Sequence, residues 1–190
     1  MSSATPPTHR RPGHRAGVSH DDVLAAARQV LHSSGSDGFS LRKVAKHLGV
    51  APNTLYSYFD NRDALVDALL DATLAAISTP EMGTDPTDGL RQIMLASYDA
   101  LVEQPDLVPL YLARSGSHGE HAWRLGRRML ELLADAGVVG DRADVALQVL
   151  IVQAIGFAAF TTAGAAGGNE GRRAAFGQAL QWLLAGIREP

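Results

Sequence analysis

Asn53, Thr54, Tyr56 and Ser57 lie within five positions of one another and bring an amide and hydroxyls but no charge. Together with Ala51 on one short helix, they would make a small polar surface. Such a surface can enter a DNA major groove and hydrogen-bond base edges or phosphates. The elements needed to hold it are legible on either side. Leu41, Val44, Ala45 and Leu48 recur at helical spacing and give a preceding helix a narrow apolar stripe. Ala45 stands where a second helix must pass closely. Gly49 follows four residues later, where the chain must stop and turn, and glycine takes the left-handed conformation there without steric cost. Val50 fills the corner. Pro52 suits the first position of the next helix, where its missing N–H has no intrahelical partner. Leu55, with Tyr58 or Phe59, faces back toward the first helix. Residues 40–59 therefore read as a helix-turn-helix. A helical hairpin buried in a core would not gather Asn53, Thr54 and Ser57 on one outward face.

Residues 19–77 resemble the DNA-binding domain of the tetracycline-repressor (TetR) family. The resemblance rests on a leading amphipathic helix, the segments GFSLRKVAKHLGV and APNTLYSYF, and the exit DNRDALVDALL. It covers about a third of the chain, and beyond it the likeness is one of layout only. The resemblance implies an all-α protein with an N-terminal three-helix head and a C-terminal helical domain for ligand binding and dimerisation, about nine helices in all. It also implies a transcriptional repressor that binds a palindromic operator as a homodimer, with half-sites roughly 34–36 Å apart, and that leaves it on binding a small apolar or amphipathic effector. By that pattern Thr54, Tyr56, Tyr58 and Arg62 contact phosphates, joined by Ser40 and Arg42 at the start of the second helix. Ala51, Asn53 and Ser57, beside Pro52, are the expected base readers.

Charge agrees with a divided molecule. The net value of −3 hides eight basic residues against four acidic ones in 1–62, a balance of +4, and −7 over the remainder. A basic head on an acidic body suits a polyanion-binding module joined to a regulatory one. Hydrophobic residues make up 46% of the chain, enough to expect a folded core, and 190 residues suffice for one compact unit or two small ones. The absence of cysteine excludes disulfides, thiol catalysis and Cys-ligated zinc, and is compatible with a reducing cytoplasm, the expected location. No apolar run follows the arginines near the N-terminus, so no signal peptide is expected. From Val145 to Gly168 no residue is charged. Gln148, Gln153, Thr161, Thr162 and the Gly/Ala-rich second half weaken a membrane reading, and a buried helix of a soluble dimer is expected instead.

Three regions follow: a disordered basic tail at 1–17, the head at 18–62, and a regulatory and dimerisation domain at 63–190. The tail's Arg10, Arg11 and Arg15 could follow phosphates or reach a minor groove, although a solvated tail is the plainer reading. Helices are expected at 19–34 (capped by Ser19), from 62, from 86 (Asp85 cap, Pro86 first), at 107–112, from Ser117 (a capping box with Glu120) to Gly137, at 142–166 (Asp141 cap) and at 170–187 (Asn169 cap). The fourth helix, with Leu65, Val66, Leu69, Leu70, Leu74 and Ile77 inward, belongs to both modules and is the natural lever.

In the second domain, small residues at helical spacing (Ala154, Ala158, Ala159, Ala163) and the apolar Phe160, Phe176, Leu180, Leu183 and Leu184 are expected to form a dimer seam. Met94, Tyr98, Tyr111, Trp123, Gln153 and Phe157 are the candidate lining of an effector pocket, being apolar or aromatic with a few polar handles. His118 and His121 lie three apart but lack a third metal ligand at a fitting spacing other than Glu120, so no metal and no cofactor is expected. No GxSxG, HExxH or phosphate-cradling glycine loop is present, and the chain is not read as an enzyme. The expected partners are double-stranded DNA, a second copy of the chain and an unidentified small-molecule effector, with no membrane. An effector-free architectural DNA-binding dimer is the alternative.

Overall fold

Ser19 opens the first helix by a reciprocal cap. Its hydroxyl accepts from the Asp22 amide at 3.1 Å, while its own amide donates to the Asp22 carboxylate at 2.9 Å. The Ser19 amide, with the Ser19 hydroxyl donating at 2.7 Å, holds the Asp22 carboxyl below its usual range. The computed structural model describes residues 17–114, 119–164 and 169–188. Among them it contains nine α-helices, one 3-10 turn and no strand. The helices are α1 His20–Gly38, α2 Leu41–Leu48, α3 Pro52–Tyr56, α4 Arg62–Leu74, α5 Pro86–Glu103, α6 Val108–Ala113, α7 Glu120–Asp135, α8 Asp141–Thr162 and α9 Asn169–Arg188. The 3-10 turn, Pro105–Leu107, precedes α6.

The first helix breaks at Gly35, whose φ of 65° interrupts it one residue past the expected end. The turn between α2 and α3 forms as the spacing requires. Gly49 takes φ 68°, its N–H returns to the carbonyls of Ala45 and Lys46, and Pro52 begins α3. Val44, Ala45 and Leu55 are fully buried where the two helices meet, and Val23, Ala27, Leu31 and Phe39 of the first segment close over them. Asn61 caps α4 by accepting from the Ala64 amide at 2.9 Å.

In the body, α5 is the central helix and packs against α4, α7, α8 and α9. At Gly89 it approaches α7 so closely that a β-carbon would stand 2.9 Å from Leu132. Its other end is ordered by aromatics. Tyr98 stacks on Phe176 of α9 with centroids 4.5 Å apart, Phe157 of α8 meets the same ring edge-on at 5.4 Å, and the Tyr98 hydroxyl bonds to Thr161 at 2.8 Å.

Two helix starts differ from expectation, and a third cannot be compared. Ser117 lies outside the described residues, and the first amides of α7 are capped instead from another helix. Asp71 of α4 accepts from His121 N at 3.1 Å and Ala122 N at 2.9 Å. Asp141 is the first residue of α8 rather than its cap, because Gly140, at φ 60°, makes the turn. The Asn169 side chain lies outside the described residues. The eighth helix also ends earlier than expected, at Thr162. It is long and apolar enough to cross a membrane, but a third of its apolar window is buried in the protomer. It is therefore not a helix buried all round: one side is core and the other is bare.

The cap on α7 requires Gly119. A β-carbon there would fall 2.2 Å from the Asp71 carboxyl carbon. Asp71→Ala is expected to cost about 1–2 kcal/mol, the loss of a good cap. Gly119→Ala should cost a similar amount by displacing the same carboxylate, and the double variant should lose less than the two single losses combined. Denaturant titration of all three checks this; simple additivity would show that the two residues act separately.

Candidate nucleic-acid interface

The outward face of α3 is built as its composition requires. Ala51, Pro52, Asn53, Tyr56 and Ser57 are exposed and Thr54 is half-buried. The Ser57 hydroxyl donates to the Thr54 carbonyl at 2.7 Å. Leu55 and Phe59 anchor the helix from beneath. The surface is uncharged and close to the backbone, which suits contact with base edges at short range.

Cations flank it on α2, where Arg42, Lys43 and Lys46 are all exposed. Lys43 and Lys46 were not singled out from the sequence. The available signal was their spacing: they fall with Arg42 on the side of α2 opposite Val44 and Ala45. Ser40 is occupied as the cap of α2, its hydroxyl accepting from the Lys43 amide at 3.4 Å.

Two expected phosphate contacts have other work. Arg62 donates to the Ser36 carbonyl at 3.0 Å and the Phe39 carbonyl at 3.3 Å, with its guanidinium 5.8 Å from the Phe39 ring centre. It ties α4 to the turn between α1 and α2. The Tyr58 hydroxyl donates to the Val18 carbonyl and holds the chain entering α1 against the end of α3. In this structure both side chains help position the head: the Tyr58 hydroxyl is bonded to Val18, while Arg62 uses its Nε and Nη2 on the two carbonyls and keeps Nη1 3.7 Å from Asp63.

The fourth helix joins head to body through charge as well as packing. Asp63, Asp67 and Asp71 stand four apart and so share one face. Arg114, at the end of α6, makes a bidentate pair with Asp67 and reaches Asp63 at 3.5 Å. In return Arg124 of α7 donates to the Ile77 carbonyl at 3.0 Å and Arg128 to the Glu81 carbonyl at 3.0 Å, beyond the end of α4. A second bridge joins α1 to the segment before α6, through Arg28–Gln104 at 3.1 Å and His32–Asp106 at 2.7 Å.

The candidate seam and pocket are rearranged by burial. Ala154, Ala158, Phe176, Leu180 and Leu184 are buried inside one protomer and cannot meet a second. Small size lets α8 approach α5 and α9, which is the close packing that their spacing reflected. Ala159 and Leu183 are half-buried, whereas Phe160 (77% exposed) and Ala163 face out. The bare side of α8 is instead a stripe of Val145, Val149, Val152 and Phe160, with the half-buried Gly156 between the last two, continued by Trp182 on α9. Steps of four, three, four and four were its signal in the sequence. A groove of about 560 Å³ separates the α8 and α9 parts, between Val145, Val149, Trp182 and Gly186.

Of the pocket candidates, Met94, Tyr98 and Tyr111 are buried, and both tyrosine hydroxyls are bonded internally, Tyr111 to the Leu70 carbonyl. Burial raises the Tyr111 hydroxyl pKa well above its ordinary value. Gln153 and Phe157 are half-buried. Trp123 is 68% exposed, on the side of α7 away from Leu125, Met129 and Leu132, and lines no internal wall. Tyr111 borders open concave space, a groove of about 460 Å³ between α6 and α8 lined also by Leu112, Leu147, Gln148, Ile151 and Ile155. Among the described residues no cluster suits a metal ion.

Comparison with known proteins agrees with this geometry. Residues 23–69 match the family model for bacterial regulatory proteins of the tetR family. The chain is 29% identical over 131 residues to an HTH-type transcriptional repressor of Mycobacterium tuberculosis, covering 67% of this chain and 49% of that one. With the class E tetracycline repressor of Escherichia coli it shares 30% identity over 137 residues, 70% of this chain and 64% of the relative. The chain spans about half the length of the curated relatives it matches, the mycobacterial repressor among them. A TetR variant from Acinetobacter baumannii, solved in complex with minocycline, superposes with a TM-score of 0.77 at 29% identity, over 90% of this chain and 99% of that one. The helix-turn-helix of α2 and α3, the shared α4 and the helical body occur together as they do in the Acinetobacter TetR variant. Residues 23–69 thus carry the TetR-family DNA-binding head, on a body similar in fold to that of a solved TetR.

Proposed function

We propose that this protein is a cytoplasmic, ligand-responsive repressor that binds a palindromic operator as a homodimer. The observation that carries the reading is the exposed, uncharged face of α3 beside the free cations of α2, on a head tied through α4 to a body with a bare apolar face. Asn53 and Ser57, with Ala51, read bases, while Thr54, Tyr56, Arg42, Lys43 and Lys46 meet phosphates. Two copies join through the stripe from Val145 to Phe160 and Trp182, which places two heads on one face of the duplex. The effector enters the groove between α6 and α8, where Gln148 and Asp144 supply polar handles on an apolar wall. Its class is an amphipathic small molecule, as minocycline is for the Acinetobacter relative. A ligand there pushes on α6 and, through Arg114, on the carboxylates of α4, so it shifts the population of head spacings.

One observation favours the effector-free alternative: the core at Met94, Tyr98 and Phe176 is filled by its own side chains. Release of the bound duplex on titrating amphipathic polycycles, beginning with minocycline, separates the two. Release that Ile151→Trp blocks supports the sensor and its groove, while a duplex that no compound displaces supports the architectural dimer.

Asn53→Ala is expected to lose about 1–3 kcal/mol on the specific site and nothing on a scrambled duplex. Lys46→Ala should weaken both alike and flatten the salt dependence by about one contact per protomer. Anisotropy titrations on the two duplexes compare them; identical behaviour of the two variants would end this division of roles.

Val152→Glu tests the seam. Val152 is 61% exposed, so the folded protomer should tolerate the charge, whereas a dimer would bury two unpaired carboxylates at a cost of several kcal/mol. Sedimentation should find a folded monomer that no longer holds the full operator. A variant that stays dimeric would place the seam on another face.

A further inference from the structure

The groove between α6 and α8 has a neighbour. A second groove of about 460 Å³ opens near the end of α8, between Ala159, Thr162 and Ala163 on one side and Pro105, Val108 and Pro109 on the other. Gly35 and Ser36 of α1 also line it, so the head itself forms part of its wall. Leu112 of α6, 55% exposed, lines both grooves. On α8 the two are lined in succession by Gln148, Ile151, Ile155, Ala159 and Thr162. Steps of three, four, four and three keep these residues on one side of the helix. Between the two sets stands Gly156, where an added β-carbon would meet nothing within 4 Å. The grooves thus lie end to end along α8, with Leu112 at their junction.

Charge sets the kind of occupant. Each groove contains a carboxylate, Asp144 in the first and Asp106 in the second, and among the described residues no lysine, arginine or histidine lines either. In the second groove the polar groups are already engaged. Asp106 is bonded to His32 at 2.7 Å, and the Thr162 hydroxyl donates to the Ala158 carbonyl of its own helix at 2.9 Å. The Asp144 side chain, by contrast, has no hydrogen bond or ion pair among the described residues. A positive group is therefore best placed at Asp144, and an apolar one beyond Leu112. Length follows from the helix. From Gln148, α8 advances ~16 Å to Ala159 and ~21 Å to Thr162, at about 1.5 Å per residue. An extended chain advances about 1.2 Å per bond, so an octyl chain stops short of the second groove and a hexadecyl chain enters it.

We propose that the two grooves together hold one linear cationic amphiphile, its headgroup at Asp144 and Gln148 and its alkyl tail passing Leu112 to lie against Gly35 and Ser36. This rests on the reading of the α6–α8 groove as the effector site. The tail touches the head directly, without the mediation of α4. Gly35 is the break in α1, at φ 65°, and the Ser36 carbonyl is one of the two that hold Arg62. On the facing wall, Asp106 holds His32 of α1. A filled second groove therefore fixes the end of α1 against α6 and α8, and only a long chain fills it.

The test titrates octyl-, dodecyl- and hexadecyltrimethylammonium, each below its micelle concentration, into the DNA-free full chain and its Leu112→Trp and Asp144→Asn variants. Calorimetry reads affinity and hydrogen exchange reads the head. Affinity should rise about two- to fourfold per added methylene as the tail is buried. Amides from Gly35 to Phe39 should exchange more slowly with the hexadecyl probe and not with the octyl one. Leu112→Trp, at an exposed position, should remove both the gain and the protection while leaving octyl binding unchanged. Asp144→Asn should weaken every ammonium probe several-fold and leave dodecanol unaffected. Equal affinity of octyl and hexadecyl chains, a gain that Leu112→Trp leaves intact, or no protection at Gly35 to Phe39 would overturn the reach to the head. Tighter binding of hexadecanoate than of the hexadecyl ammonium would overturn the assigned charge. If every linear probe fails while Ile151→Trp still blocks an amphipathic polycycle, the linear class falls and the α6–α8 groove stands. If neither linear probes nor polycycles bind, the groove reading itself fails.

Discussion

The fourth helix is held by its carboxylates, and most of the molecule's organisation depends on that grip. Asp63, Asp67 and Asp71 face the boundary between α6 and α7, where Arg114 takes the first two and the opening amides of α7 take the third. An exposed ion pair alone contributes about 0–1 kcal/mol, so Arg114 orients more than it stabilises. Asp71 is different. It is buried, it accepts from two amides, and it sits at the positive end of a helix dipole. Arg124 and Arg128 answer from α7 by taking carbonyls at and beyond the far end of α4. The two helices thus bond to one another's terminal backbone groups, and a movement of α4 against α7 would disturb those bonds.

Much of the head could be read from residue types, because its determinants are local. Gly49, Pro52 and Ser40 each act within a few residues, so their spacing is enough to set the turn, the start of α3 and the start of α2. The face of α3 was legible for the same reason. What could not be read were groups that act at a distance. Nothing near Asp71 in sequence says that it caps a helix fifty residues later, and the local Ser117–Glu120 pattern pointed to a different cap. Tyr58 and Arg62 show the same limit. A tyrosine and an arginine beside a recognition helix give no local sign that they also bond to the carbonyls of Val18, Ser36 and Phe39.

Burial in the body was ambiguous from sequence because α8 has two apolar sides. Small alanines mark the side that approaches α5 and α9, and larger valines mark the side left bare. Composition alone gives both the same weight, and close packing was mistaken for pairing between copies. Likewise Tyr98 and Tyr111 carry the polar handle expected of a ligand wall, yet Thr161 and the Leu70 carbonyl already use it. Trp123 shows the reverse error, a large aromatic whose helix turns it outward. In each case the side chain's partner decides its role, and that partner lies on another helix.

The bare face of α8 is also unusually stiff. Val145, Val149 and Val152 are β-branched, and on a helix such side chains are confined almost wholly to one χ1 rotamer. Long flexible side chains forfeit about 0.5–1.5 kcal/mol of rotamer freedom each when an association immobilises them. Valines have little left to forfeit. A complementary surface meeting this face would find its shape already set, so docking there would resemble the closing of two rigid combs rather than the ordering of a mobile fringe.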